Sequence, residues 1–235
     1  MELKIKNLTK SYGEKIVLKD IDFTFEEGKI YGLIGRNGAG KTTFFNCLND
    51  DIEIDSGKFI LSDEYGDNNL KTDDIGYVIA TPTVPEFLTG KEFLTFFLEI
   101  NKDRIKDQKT IKEYFDLVKI SEKDQDKLLK EYSHGMKNKM QMLINFIANP
   151  KVLLLDEPLT SLDVVVQEEM KHLLKNMKKN HILIFSTHIL ELALDLCDEI
   201  VILNNKHLEL VEKNHLNTKK YKDKIIKSLK DEKND

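Results

Sequence analysis

The sequence predicts an α/β fold with a parallel sheet at its centre, an N-terminal antiparallel β subdomain and an inserted α-helical subdomain. Three patterns carry this expectation. The runs VLLLD (152–156) and ILIFS (182–186) have no polar alternation, as expected of parallel strands covered on both faces. The first 25 residues instead alternate apolar with polar side chains, the mark of half-exposed antiparallel strands. From Thr89 to Ala148 the apolar residues recur at helical spacing.

Taken in order, Leu3, Ile5 and Leu8 alternate with polar residues, and Val17, Leu18, Ile21, Phe23 and Phe25 continue that pattern up to a Glu27–Gly28 turn. Ile30 to Ile34 then runs apolar into Gly35, and a helix is expected from Lys41 to Leu48, directly after a glycine-rich loop. Short strands return within 50–79, at Phe59–Leu61 and Ile75–Ile79, separated by acidic, Asn-rich turns. The last helix of the middle block carries Met136, Met140, Leu143, Ile144 and Ile147 on one face and is expected to stop at Pro150. Strand and helix then alternate: 152–155, 163–179, 182–185, 189–195 and 200–203. From Lys213 onward the chain is dense in Lys, Asp and Glu, with only Ile225, Ile226 and Leu229 forming an apolar stripe, and reads as a solvated helix or tail.

Composition narrows the function classes. The chain has 235 residues, 40% of them hydrophobic and 33% charged, which is a folded composition with a sizeable core. Its 36 Lys and Arg against 41 Asp and Glu leave a net charge of −5, so no global basic field exists to hold a nucleic acid, and none is expected as a partner. Cys47 and Cys197 lie in apolar stretches without metal-ligand spacing and are expected to be buried thiols in a reducing compartment. The opening MELKIKNLTKSYG lacks the apolar core of a secretory signal, and no stretch approaches bilayer-spanning length. If the chain works at a membrane, another chain must supply the spanning helices.

Gly35, Arg36, Asn37, Gly38, Ala39, Gly40, Lys41, Thr42 and Thr43 fit G-x-x-x-x-G-K-[ST] between an expected strand and an expected helix. Glycines allow backbone N–H groups to turn inward around phosphate oxygens, and the helix N-terminus adds a favourable dipole. Lys41 would then reach the β- and γ-phosphates and the Thr42 hydroxyl would ligate Mg²⁺. These features define a P-loop NTPase core. Asp156 and Glu157 close a buried strand and complete such a site, Asp156 holding Mg²⁺ through its water shell and Glu157 polarising the attacking water. A second strand ends in Ser186-Thr187-His188, where His188 taken alone reads as a surface histidine at a helix start.

In that order, from about residue 2 to about residue 212, these residues resemble the nucleotide-binding domains of ATP-binding cassette (ABC) transporters. The resemblance implies that Tyr12, in LTKSYG, stacks on adenine. It implies that Tyr132-Ser133-His134-Gly135-Met136 is the signature segment, with Ser133, His134 and Gly135 touching ATP held by a partner domain. Ser161-Leu162-Asp163 would form the D-loop, and His188 the switch histidine at the γ-phosphate, making Glu157 and His188 the catalytic pair. Residues 1–212 would be the ATP-binding domain, with a helical subdomain at about 85–148, and 213–235 a C-terminal appendage.

Two departures stand out. His134 and Met136 replace Gly and Gln of the usual L-S-G-G-Q, while Ser133 and Gly135 remain; the following Lys137-Asn138-Lys139 resembles the variant of drug- and peptide-exporting members. Ala80 stands after Ile75-Gly76-Tyr77-Val78-Ile79, where the family carries a Gln that touches Mg²⁺ and the nucleophilic water. An alanine does neither.

One P-loop and one signature imply a dimer, with itself or with a related ATP-binding subunit, sandwiching ATP. The resemblance further implies a separate integral-membrane transporter subunit, a cytoplasmic position on the inner face of the membrane, and export. Within 81–98, Phe87 and Leu88 are the expected contacts to that subunit, while most of Phe93, Phe96 and Phe97 are expected in the core of the helical subdomain. The alternatives are a soluble ABC ATPase of an assembly system and a poorly hydrolysing regulatory subunit of a heterodimer, the latter favoured by Ala80. The transported substrate is not written in this chain, because specificity resides in the membrane subunit.

Overall fold

A computed structural model describes residues 1–105, 108–159 and 162–211. The expected tail at 213–235 and Ser161 lie outside the described residues.

Two sheets form the framework. β1 (Glu2–Tyr12), β2 (Lys15–Glu26), β4 (Ser56–Asp63) and β5 (Gly66–Asn69) make an antiparallel sheet in the order β2-β1-β4-β5. The second sheet runs β10-β9-β3-β8-β7-β6, built from β3 (Ile30–Ile34), β6 (Ile75–Val78), β7 (Val152–Asp156), β8 (Ile182–Thr187), β9 (Glu199–Asn204) and β10 (His207–Val211). All its pairings are parallel except β9 with β10.

The helices are α1 (Lys41–Leu48), α2 (Gly90–Ile100), α3 (Ile111–Leu117), α4 (Glu122–Gln125), α5 (His134–Ala148), α6 (Val164–Met177) and α7 (Leu190–Leu196). Thr89 and Thr110 cap α2 and α3, each accepting from the backbone N–H of a Glu three residues on, whose carboxylate bonds back to the cap. α5 begins on Ser133, whose Oγ accepts from Met136 N at 3.2 Å. It ends on Asn149 in the left-handed region (φ 51°), one residue before the expected stop at Pro150.

The uninterrupted apolar runs have a direct explanation in the packing. Along β7, Val152 and Leu154 join the core shared with α1 and the antiparallel sheet, while Leu153 and Leu155 join the core under α6 and α7. β8 divides the same way, Ile182 and Ile184 against Leu183 and Phe185. Each residue of these strands is buried because both faces are covered. A third core, around Leu94, Phe115, Leu129, Met140 and Leu143, belongs to the helical layer of α2, α3 and α5. Gly76 of β6 lets α5 approach the sheet, since a Cβ there would collide with Asn145 and Pro150.

Ile75–Val78 belongs to the parallel sheet beside β7. Gly66–Asn69 and His207–Val211 are strands where no strand is expected. Phe96 is 55% exposed and so lies outside the helical core that Phe93 and Phe97 pack against, and Phe87 is 79% exposed. Cys47 and Cys197 are both buried. Among the described residues no helix is long and apolar enough to cross a membrane.

Candidate nucleotide site

The strand order 9-3-8-7-6 brings the C-terminal ends of β3, β8, β7 and β6 side by side, so the loops that leave them meet at one edge of the sheet. Such edges are where open α/β sheets bind ligands. The loop 35–40 leaves β3, Glu157 leaves β7, His188 leaves β8 and Ala80 follows β6.

Gly40 caps α1 at φ 109°, and a Cβ on it would lie 2.7 Å from Val17, so both backbone and space demand glycine. Gly38 also has a positive φ, 83°, while Arg36, Asn37 and Gly38 are exposed at the loop crest. Lys41 opens α1 with its side chain only 6% exposed; Nζ donates to the carbonyls of Gly35 (2.9 Å) and Arg36 (3.3 Å) and lies 3.8 Å from Glu157 Oε1. Burial holds its pKa below the usual lysine value, against the opposing charges of Glu157 and Asp156.

The register pairs Asp156 with Ser186, and Ser186 Oγ donates to Asp156 Oδ1. On the other side Thr42 Oγ1 donates to Asp156 Oδ2 at 2.8 Å. The buried carboxylate is thereby aimed at the start of α1. Glu157 follows in the left-handed region (φ 47°), its backbone N–H donating to Ser186 Oγ at 3.0 Å. His188 Nδ1 lies 3.1 Å from each oxygen of its carboxylate. Ser186 thus holds both acidic residues, a role that its position at the end of a strand signals only weakly.

A cavity of about 390 Å³ gathers most of the predicted positions: Tyr12, Asn37, Gly38, Gly40, Lys41, Thr42, Thr43, Asp156 and Glu157 line it, with Lys15, Val17 and Ala80. The position of the absent carboxamide therefore faces the same space as the two acids. Lys15 and Val17 carry no motif and enter through the hairpin that returns from Tyr12. Ser133, His134 and Gly135 do not line this cavity. They open α5, Ser133 and His134 exposed, with Gly135 near Leu162 and Val166 at the entry to α6. Asp163 caps α6, its Oδ1 accepting from Val165 and Val166 N–H at 3.0 Å.

A hard divalent cation that shares phosphate oxygens needs few protein ligands, an oxygen or two beside the phosphates. Thr42 Oγ1 and Asp156 Oδ2 fit that demand. No cluster of three or more His, Cys, Asp or Glu suited to a metal occurs among the described residues.

A parallel sheet with a phosphate loop at the N-terminus of a helix, and an acid pair on a neighbouring strand, defines a P-loop nucleotide hydrolase. Residues 18–160 match the family model described as ABC transporter, and the chain belongs to that family as an ABC ATPase. It is 34% identical over 204 residues to the ABC transporter ATP-binding protein YxlF of Bacillus subtilis, covering 86% of this chain and 68% of that one. It is 32% identical over 203 residues to the lantibiotic transport ATP-binding protein SrtF of Streptococcus pyogenes, covering 84% and 85%. A dimeric ATP-binding cassette in a post-hydrolysis state, bound to ADP and Pi, superimposes with a TM-score of 0.74 at 22% identity, over 90% of this chain and 98% of that one.

Proposed function

We propose that this ABC ATPase binds ATP with Mg²⁺ in the cavity at the sheet edge, pairs with a second ATP-binding subunit, and drives export through a separate integral-membrane subunit. The observation that carries the site assignment is the convergence of Tyr12, from the antiparallel sheet, with Gly35 to Thr43, Asp156 and Glu157 at the edge of the parallel sheet, most of them lining one cavity. Tyr12 stacks on adenine, the loop N–H groups and Lys41 hold the phosphates, and Thr42 with Asp156 holds Mg²⁺. The metal, when bound, neutralises charge on the β- and γ-phosphates. Glu157 orients the attacking water and takes its proton, and His188 contacts the γ-phosphate, a role supported by its hydrogen-bond distance to the Glu157 carboxylate.

The pairing rests on the separation of Ser133, His134 and Gly135 from the chain's own cavity. An exposed signature turn beside the Asp163 cap is a surface that a second subunit's nucleotide can meet. The ADP- and Pi-bound cassette that shares the fold is likewise a dimer. Export is supported by the His134-Gly135-Met136-Lys137 signature variant and by the relative named for lantibiotic transport. Co-purification of the tagged chain from native membranes in mild detergent should recover a polytopic protein in stoichiometric amount. Recovery from the cytosol without such a partner would move the assignment to a soluble assembly ATPase.

Ala80 favours a second reading, a slow subunit within a mixed pair, because its methyl faces the cavity where a carboxamide would orient water and metal. Ala80→Gln is expected to raise kcat by about tenfold, the scale of restoring one positioned polar group. Steady-state phosphate release checks it, and an unchanged kcat would mean that the site is oriented without that group.

A further inference from the structure

A partly buried cation stands over the aromatic ring that the proposed function assigns to adenine. Lys10 and Tyr12 lie at the end of β1, where the pairing with β2 shifts register between Leu8 and Lys10 and again between Lys10 and Ser11, and the two side chains meet there. The Lys10 side chain is 13% exposed, Nζ donates to the Glu53 carbonyl at 2.6 Å, and Asp55 Oδ1 is 3.9 Å away. The Asp55 backbone N–H in turn donates to the Thr9 carbonyl at 3.0 Å, tying that loop to β1. From this fixed point the ammonium sits over the Tyr12 ring, 5.1 Å from its centroid.

Tyr12 itself is half exposed at the tip of the β1–β2 hairpin and lines the cavity, which Lys10 does not. A tyrosine so placed would ordinarily sample several rotamers and offer either face. With the ammonium on one face, the other is left for a ligand. The charge also draws electron density through the ring, easing the approach of a second π-system to the open face.

We propose that Lys10 is a positioning residue for the nucleotide base: it pins the Tyr12 ring and presents a single prepared face to the purine of ATP. This rests on Tyr12 being the adenine platform. Order is supplied before binding, so less conformational freedom is lost when the base docks. The effect is confined to ligands that carry a base, since the contact Lys10 makes at the site is with the Tyr12 ring and its side chain does not line the cavity.

The test is to titrate the full chain with ATP and with inorganic tripolyphosphate, both with Mg²⁺, in four proteins: wild type, Lys10→Met, Lys10→Arg and Tyr12→Ala. Lys10→Met should weaken ATP about three- to tenfold, the scale of a partly desolvated cation–π contact, while tripolyphosphate binding is retained. Lys10→Arg should recover ATP affinity, because a guanidinium also sits well over an aromatic face. Tyr12→Ala should weaken ATP further with the same selectivity. Equal weakening of both ligands by Lys10→Met, or of neither, overturns the role of Lys10 while leaving Tyr12 as the platform if Tyr12→Ala remains selective for ATP. A Tyr12→Ala protein that loses no ATP-selective affinity overturns both together.

Discussion

Glu157→Gln is expected to lower kcat by about two to four orders of magnitude, the loss that follows removal of a positioned general base. It should also leave the protein as an ATP-bound dimer in sizing chromatography with Mg²⁺. The substitution is nearly isosteric, and the backbone that places residue 157 is held independently of its side chain. Its N–H donates to Ser186 Oγ and its φ of 47° is set by the end of β7. A glutamine therefore stays where the carboxylate is and keeps a carbonyl oxygen for His188. What it loses is the ability to take a proton from water. It also removes a negative charge 3.8 Å from Lys41, which favours the phosphates rather than opposing them. Binding is thus retained or strengthened while the step that ends the closed state is lost, and the closed dimer accumulates. A monomer in saturating ATP would contradict the sandwich, and wild-type turnover would remove Glu157 from the chemistry.

The same residues show which parts of the fold are legible in a sequence and which are not. β3, the loop 35–40 and α1 are readable because each step is local: an apolar run, glycines that alone tolerate the turn, then a helix on Lys41. β7 and β8 are readable because two-sided burial leaves an unbroken apolar run. β5 reads Gly-Asp-Asn-Asn with every residue exposed, and is a strand only because β4 supplies its hydrogen-bonding partner. Sheet membership of β6 is likewise decided at a distance, by β7, more than 70 residues later in the chain. The buried polar residues of α5 escape the pattern for a related reason. Lys139 is buried because Glu169 of α6 meets it at 2.7 Å, and Asn138 because it reaches the Pro158 carbonyl at 3.5 Å, just beyond Glu157. In the candidate site, motif residues were readable by chemistry, whereas Lys15, Val17 and the double anchoring by Ser186 follow from register alone.

Lys41→Ala is expected to weaken ATP binding by about a hundredfold or more and to abolish turnover. Charge-assisted contacts to phosphate are among the strongest polar interactions a site makes. In this site the ammonium has a further role, because it is the cation beside Glu157 and close enough to Asp156 to feel its charge. Removing it leaves two carboxylates, one of them 5% exposed, facing a triphosphate that is itself strongly anionic. Repulsion then adds to the lost attraction. The loop should survive, since Gly40 caps α1 through its backbone and the Phe44 N–H bonds to the Gly40 carbonyl at 2.8 Å. Thermal unfolding separates binding from folding. At a ligand concentration of 100 Kd, binding stabilises wild type by about 2.7 kcal/mol. The same concentration equals only about one Kd for a hundredfold weaker variant, for which the gain falls to about 0.4 kcal/mol. For a chain of this size 1 kcal/mol moves Tm by roughly 2–4 °C, so an ATP-dependent rise of about 5–10 °C should shrink to about 1 °C. A Lys41→Ala protein that keeps the full rise would place the triphosphate somewhere other than the loop between β3 and α1.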